Sequence, residues 1–316
     1  MQEDTWNIYG GTPLNNVASV KARLKNRSIE TGKTMQEMLM AYALERTIYR
    51  LSVSKYVENF TLKGGIFLYA IFDGNYARAT TDIDFLAQNI SNEIEDMKKV
   101  FSEVFSIETD DPLCFDLDTL NVVNITEFKK YHGINVSVTV YLDKTKIPVS
   151  IDIGFGDVIY PNRVLMDFPV VLGDEIPRVY TYSLISSIAE KLEAIVSLAY
   201  DNSRFKDYYD IYVLAKKNDF DGAELSKALI ETFTNRHTAF DRIVAFEDGF
   251  ADEPLRQSRW NSFVKKKKPL IKVTLKETIE EIRVFVFPVV EAIREDKQFD
   301  AIWKCREQKW DYINLQ

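Results

Sequence analysis

The sequence of 316 residues has little that could cross-link or chelate: two cysteines and two histidines. Cys114 and Cys305 cannot form a CxxC pair, so a disulfide scaffold is excluded. A structural zinc site needs about four N/S ligands and would have to recruit both cysteines together with His132 and His237. Nine prolines and twelve glycines are too few for a collagen-like or low-complexity chain. There is no run of about 18 apolar residues to span a membrane. The best stretch, Val284 to Ile293, is broken by Pro288 and Glu291. The opening Met1-Gln2-Glu3-Asp4 is acidic where a secretory segment is basic, so a soluble cytoplasmic protein with no membrane partner is the expectation. Positive charge is also in deficit. Forty Lys and Arg against 48 Asp and Glu give a net charge of −8, which excludes a protein that coats duplex DNA. The 46% of hydrophobic residues suffices for a core, and the length fits one large or two modest domains.

The apolar pattern changes period twice. Up to about residue 58 it is helical: Pro13 to Thr31 carries Leu14, Val17, Val20 and Leu24, and Gly32 stops it. Thr34 and Glu37 form a capping box for a second helix. That helix carries Leu39, Ala43, Ile48 and Leu51, with Arg46 and Arg50 one turn apart on a solvated or ion-paired face. Strands are expected at Phe60–Lys63, Thr81–Ala87, Asn121–Phe128, Ile134–Tyr141 and Pro148–Ile153, with a helix at Ser91–Phe105. The bend at Tyr131-His132-Gly133 and the polar Asp143–Lys146 suggest that the last three strands form an antiparallel meander. Strands cluster rather than alternate with helices, so parallel βαβ winding is not supported. Helix returns after Tyr180, at Ser183–Tyr200, Asp207–Lys217, Gly222–Phe233 and Leu275–Arg294. The expected organisation is N-terminal helices over 1–58, an α/β domain over 59–180 and a helical domain over 181–316.

Gly32-Lys33-Thr34 is not a phosphate loop, because Arg27 stands where the first glycine belongs and a helix precedes it. Lys63-Gly64-Gly65 is a better candidate. Two glycines between a strand and a helix let backbone N–H groups approach a phosphate, although a tight turn would use the same residues. In Asp82-Ile83-Asp84-Phe85 the strand period puts both carboxylates on one face, about 7 Å apart, and the apolar pair on the other. Such a pair suits hard divalent cations. Asp152 sits between Ile151 and Ile153, and an acid in an apolar strand is costly unless it is solvated, paired or metal-bound. Three strand-borne aspartates with a glycine turn upstream are what two-metal phosphoryl or nucleotidyl transfer requires. A further cluster holds Lys191 and then Arg204, Lys206, Asp207 and Asp210. Lys191 is either a solvated lysine or a point charge for β/γ phosphates. Asp207 is placed to cap a helix, and with Asp210 and Arg204 it is also placed to face a cleft.

Taken in order, Ala41–Arg46, Tyr49–Ser52, Leu62–Gly65, Arg78–Phe85, Ile151–Asp157, Glu190–Ala194 and Arg204–Asp210 resemble the AbiEii/AbiGii-type nucleotidyltransferases. These are the toxin components of abortive-infection and MenT-like toxin–antitoxin systems. The resemblance implies an α+β, polymerase-β-like nucleotidyltransferase fold, a mixed sheet with flanking helices, followed by a helical C-terminal domain. It implies transfer of a nucleotide from an NTP to an acceptor hydroxyl, in several relatives the 3′ end of tRNA, and a cognate antitoxin, often a winged-helix regulator. By this resemblance Asp82 and Asp84, with Asp152 as the third carboxylate, hold Mg²⁺ or Mn²⁺, and Asp207 is the acid of the C-terminal motif. Lys191 and Arg204 grip the triphosphate, and Lys63, Gly64, Gly65, Arg78 and Lys206 gather at the same cleft. Similar chains follow the paired glycines with Ser or Thr. Here Ile66 follows, which leaves Thr80 or Thr81 to supply the hydroxyl.

Two other readings stay open. Ile66 would also suit a catalytically silent module that binds nucleotide or RNA, and the long N-terminal helices would suit a pure interaction protein. Lys265 to Lys268, preceded by Arg256, Arg259 and Trp260, is either an RNA-backbone contact or a solvated helix end.

Overall fold

A computed structural model describes residues 16–74, 80–125, 133–267 and 271–313. The element order begins α1 (Val17–Thr31), α2 (Met35–Ser52), β1 (Phe60–Lys63), α3 (Gly64–Ile71), β2 (Ile83–Ala87) and α4 (Ile94–Phe105). Five strands follow: β3 (Leu113–Ile125), β4 (Gly133–Leu142), β5 (Thr145–Phe155), β6 (Val164–Asp167) and β7 (Arg178–Thr181). The remainder is α5 (Leu184–Leu198), α6 (Phe205–Lys217), β8 (Phe220–Asp221), α7 (Gly222–Asn235), α8 (Pro254–Lys267), α9 (Leu275–Arg294), β9 (Ala301–Lys304) and β10 (Lys309–Tyr312). The expected α+β class, mixed sheet and helical C-terminal region are all present. No helix among the described residues is long and apolar enough to cross a membrane. Arg78, His132 and Lys268 lie outside the described residues, as do the expected helix start at Pro13 and the strand end at Phe128.

The chain divides into two compact units. One comprises residues up to Phe60 with Thr81–Gly154 and Met166–Val179; the other comprises Thr61–Thr80, Phe155–Leu165 and the chain from Tyr180. In the first unit the strand order is β3-β4-β5-β2, and the expected meander is present: β3, β4 and β5 are antiparallel neighbours. Strand β4 alternates strictly between buried and half-buried residues, so its odd-numbered positions stand on the face away from the core. Strand β3 starts eight residues before the expected Asn121. A register shift between Asp116 and Asn121 breaks its alternation, which hides the earlier half from a period-two reading. Helix α4 turns Met97, Val100, Phe101, Val104 and Phe105 inward at helical spacing. The rings of Phe60, Phe85, Phe101, Phe105 and Phe115 then pack in succession at centroid distances of 5.1–5.7 Å.

Helix α2 starts with the expected capping box of Thr34 and Glu37. Arg46 and Arg50 are ion-paired, as one of the two expectations had it, and the face they share is buried rather than solvated. Arg50 grips Asp111 with both terminal nitrogens at 2.8 and 3.1 Å, and Arg46 Nε donates to the same carboxylate at 3.2 Å. Thr109 Oγ1 and the Leu113 N–H complete the shell around Asp111. Burial pushes the Asp111 carboxyl up, but the Arg50 guanidinium outweighs burial and holds it below the ordinary range. Beside Arg46, which it meets at 3.3 Å, Glu45 accepts from the Val171 N–H at 2.6 Å. Burial dominates there and raises its pKa from 4.5 to about 7.

In the second unit β1 runs parallel to β7, pairing Thr61 with Tyr180 and Leu62 with Thr181. This pair closes a long crossover rather than a βαβ unit. A three-stranded antiparallel sheet in the order β10-β9-β8 was not expected, because its strands are two to four residues long. Phe285 of α9 packs against Trp303 and Trp310 at 4.9 and 5.7 Å, and the Trp310 indole donates to the Phe285 carbonyl at 2.9 Å. That carbonyl lies on the turn before Pro288, which sits inside α9 and has no N–H of its own.

Two stability outcomes follow. Asp111→Ala leaves the buried Arg50 guanidinium without its carboxylate, while Arg46 keeps Glu45 and Glu175, and is expected to cost about 3–5 kcal/mol, read as a lower urea midpoint at constant m. Glu45 favours its protonated form in the fold, so its contribution is complete below pH 4.5 and is lost as pH rises through about 7. Glu45→Gln keeps the acceptor for Val171 and removes that loss. Its melting temperature is expected to fall less than that of the native chain over the same interval.

Candidate functional site

Asp82, Asp84 and Asp152 come together. One carboxylate oxygen from each lies within 4.8 Å of the others, and all three residues are half-buried. The sequence enforces this arrangement by alternation. On β2, Ile83 and Phe85 are buried, leaving Asp84, and Asp82 just before the strand, to point the other way. On β5, Ile151 and Ile153 are each 1% exposed, which turns Asp152 to the opposite face. The antiparallel register sets Asn135 of β4 directly across from Asp152. The Asn135 amide donates to Asp152 Oδ1 at 2.6 Å and to Ser150 Oγ at 2.8 Å, so the carboxylate is held in one orientation. Thr81 donates to Asp82 Oδ1 through its hydroxyl at 3.1 Å. An all-oxygen set of three converging carboxylates fits a hard divalent cation and not a thiophilic one.

The second unit carries the glycine turn. Gly64 has φ +68°, a left-handed value that a side chain resists, and it lets β1 turn at once into α3. Ile66 is buried in α3 at 3% exposure. The Thr80 hydroxyl, two residues before Asp82, is buried and has no hydrogen-bond partner among the described residues. Lys63 points into a cluster of charges. Its ammonium lies 2.8 Å from Asp157 and 3.2 Å from Glu190. Arg236 joins the same carboxylates at 2.8 and 3.0 Å and reaches Glu193 at 2.8 Å. Tyr182 donates to Glu190 at 2.9 Å. Burial pulls the Lys63 pKa down, but Glu190 and Asp157 outweigh it and hold the ammonium above its ordinary value. Burial also raises Glu190. Asp157 is pushed up by burial yet ends well below the carboxylate range, because Lys63 and Arg236 dominate.

The third cluster joins α5 to α6. Lys191 is 8% exposed, and its ammonium lies 2.8 Å from Asp210 and 3.5 Å from Asp207. Arg204 Nε lies 2.7 Å from Asp207. Asp207 is not the helix cap that its position suggested. Arg204 occupies the cap position, Asn202 accepts from its N–H, and the helix starts at Phe205, whose ring is buried. Asp207 therefore lies in the first turn with its side chain 1% exposed, turned toward Lys191 and Arg204. Lys206, grouped with these cations in the sequence, is half-buried.

Residues 46–292 match the model of the nucleotidyl transferase AbiEii toxin, a type IV TA system family. The chain belongs to this family. As an AbiEii protein it is a nucleotidyltransferase of the toxin class, which implies a nucleotide substrate and an antitoxin partner. No curated protein matches the chain. Two solved structures are similar to it. One is described as a candidate nucleotidyltransferase from H. pylori, 16% identical, covering 81% of this chain and 96% of its own, with a TM-score of 0.47. The other is JHP933 from Helicobacter pylori, 15% identical, covering 83% and 95%, with a TM-score of 0.44.

Sequence reasoning missed Asn135, Asp157 and Arg236 as members of these clusters. Asn135 was findable in principle, since it occupies a polar position of a cleanly alternating strand. Arg236 follows the end of α7 and meets Asp157 and Glu193 from far along the chain, with no local signal. Asn135→Ala frees Asp152 to rotate. The affinity of the AbiEii chain for Mn²⁺, measured by electron paramagnetic resonance, is expected to drop about 10-fold.

Proposed function

We propose that this AbiEii protein transfers an NMP from an NTP to an acceptor hydroxyl of RNA, with the 3′ end of tRNA as the acceptor. The observation that carries this reading is the convergence of Asp82, Asp84 and Asp152 on one point. These residues would hold Mg²⁺ or Mn²⁺. Held there, such an ion would supply Lewis-acid activation and charge neutralisation for nucleotidyl transfer. The acceptor oxygen attacks the α-phosphorus as the bond to pyrophosphate breaks on the opposite side.

The chain contributes orientation. Asn135 fixes Asp152, and Thr81 fixes Asp82. Gly64 and Gly65 offer backbone N–H groups at the start of α3, and Thr80 offers a phosphate oxygen a hydroxyl that has no partner among the described residues. Ile66 belongs to the α3 core; Thr80 would supply the hydroxyl that similar chains carry directly after the paired glycines. Lys63 and Lys191 carry positive charge at two buried clusters, and Arg204 and Asp207 complete the second. The antitoxin is proposed to be a winged-helix regulator, as in similar systems.

Replacing Asp82 and Asp84 together by Asn keeps shape and removes the charge. Transfer of α-³²P label from each of the four NTPs to bulk tRNA, with Mg²⁺ present, is expected to fall by about 10³-fold or more, the scale set by several kcal/mol of lost charge stabilisation. Label transfer that survives this double change overturns the assignment.

A further inference from the structure

Helix α8 carries charge of one sign. Its fourteen residues include Arg256, Arg259, Lys265, Lys266 and Lys267 and no Asp or Glu, in a chain whose net charge is −8. Two of the residues grouped there in the sequence have structural work. Trp260 is 2% exposed, packs edge-on against Phe205 at 5.9 Å and donates its indole N–H to the Val273 carbonyl at 3.0 Å. It cannot stack on a base. The Arg256 guanidinium lies 3.7 Å from the centre of the Phe250 ring and donates to the carbonyls of Phe250 and Tyr200, each at 3.0 Å. Neither belongs to a nucleic-acid contact.

The outward stripe of α8 is different. Arg259, Ser262 and Lys266 recur at helical spacing, and all three are exposed. With Ser258 they form one wall of a cavity of about 510 Å³; Arg204 and Lys206, at the start of α6, form the other. Four cations thus line one groove, and no carboxylate lines it among the described residues. Asp207 meets Arg204 from the buried side, leaving the guanidinium side chain 44% exposed. The N-terminus of α6 opens at the same place and adds the positive end of its dipole.

We propose that this groove between α6 and α8 binds the phosphodiester backbone of the RNA acceptor. The proposal rests on the reading that the acceptor is RNA. Cations on two walls suit a strand that carries a charge at every step, and serine hydroxyls donate to phosphate oxygens. Phe205 and Phe263 line the floor of the groove but are held by Trp260, and the exposed positions are cationic and hydroxylic, so an acidic protein partner that needs protruding aromatic anchors is less well served. A lone NTP is also less well served, because the metal ions that accompany a triphosphate find no carboxylate lining this groove.

The test measures binding of 5′-fluorescein-labelled deacylated tRNA by fluorescence anisotropy, without NTP, across a series of KCl concentrations. The full chain is compared with Arg259→Gln/Lys266→Gln and with Lys272→Gln, an exposed lysine outside the groove. Thermal melts confirm that each variant is folded. The groove variant is expected to bind about 10-fold more weakly at low salt, with the slope of log Kd on log [KCl] reduced by about 2. Lys272→Gln is expected to change neither. Equal losses in both variants would reduce the effect to net charge and overturn the groove. Unchanged tRNA binding and labelling by the groove variant overturn the groove alone. Loss of antitoxin binding with tRNA binding intact overturns it in favour of a protein partner. Failure of the native chain to bind tRNA overturns the RNA reading itself.

Discussion

The register between β4 and β5 is the constraint on which the candidate chemistry depends. Val136, Val138 and Val140 of β4 and Ile147, Val149 and Ile151 of β5 share the buried face. A slip of one residue would turn that apolar set outward and Asp152 inward, so the pairing has no cheap alternative. Once the apolar face is committed, Asn135 must lie opposite Asp152, and the carboxylate acquires its orienting amide without any contribution from loops. The site is therefore as rigid as the core beneath it. Its accuracy comes from hydrophobic burial on the reverse side of the same strands.

Buried charge recurs as the joint between elements. Asp111 ties α2 to the start of β3, Lys191 ties α5 to α6, and Arg236 ties the end of α7 to α5 and to Asp157. In each joint a cation meets more than one acceptor, which is the condition under which a buried ion pair recovers its desolvation cost. Such joints are sensitive to the loss of one member far more than to the replacement of the whole set. They also fix direction, since a bidentate guanidinium such as Arg50 accepts one approach of its carboxylate where an apolar contact accepts many.

Much of this was legible where a local period carries the information. Alternation alone assigned Asp82, Asp84 and Asp152 to strand faces, and the capping box fixed the start of α2. What was not legible depends on partners remote in sequence or on broken periods. The burial of Arg46 and Arg50 follows from Asp111, more than sixty residues away. The start of α6 follows from the burial of Phe205, which outweighs the capping preference of Asp207. Helix α8 has no apolar stripe of its own beyond the ring positions that meet α6, so periodicity gave no sign of it. The first half of β3 was hidden by its register shift. The family resemblance supplied what neither period nor pairing could, the chemical purpose of three aspartates.

The contact between Trp310 and α9 has a consequence for synthesis. Proline at 288 leaves the Val284 carbonyl without its helical donor, and the indole of Trp310 donates to the next carbonyl, that of Phe285. The same ribbon covers Phe285 with Trp303 and Trp310, and β9 pairs with Phe220 of β8. A nascent chain that has not yet produced residues 301–312 holds those rings open to water. Closure of the helical unit thus waits until the β9–β10 ribbon has been made.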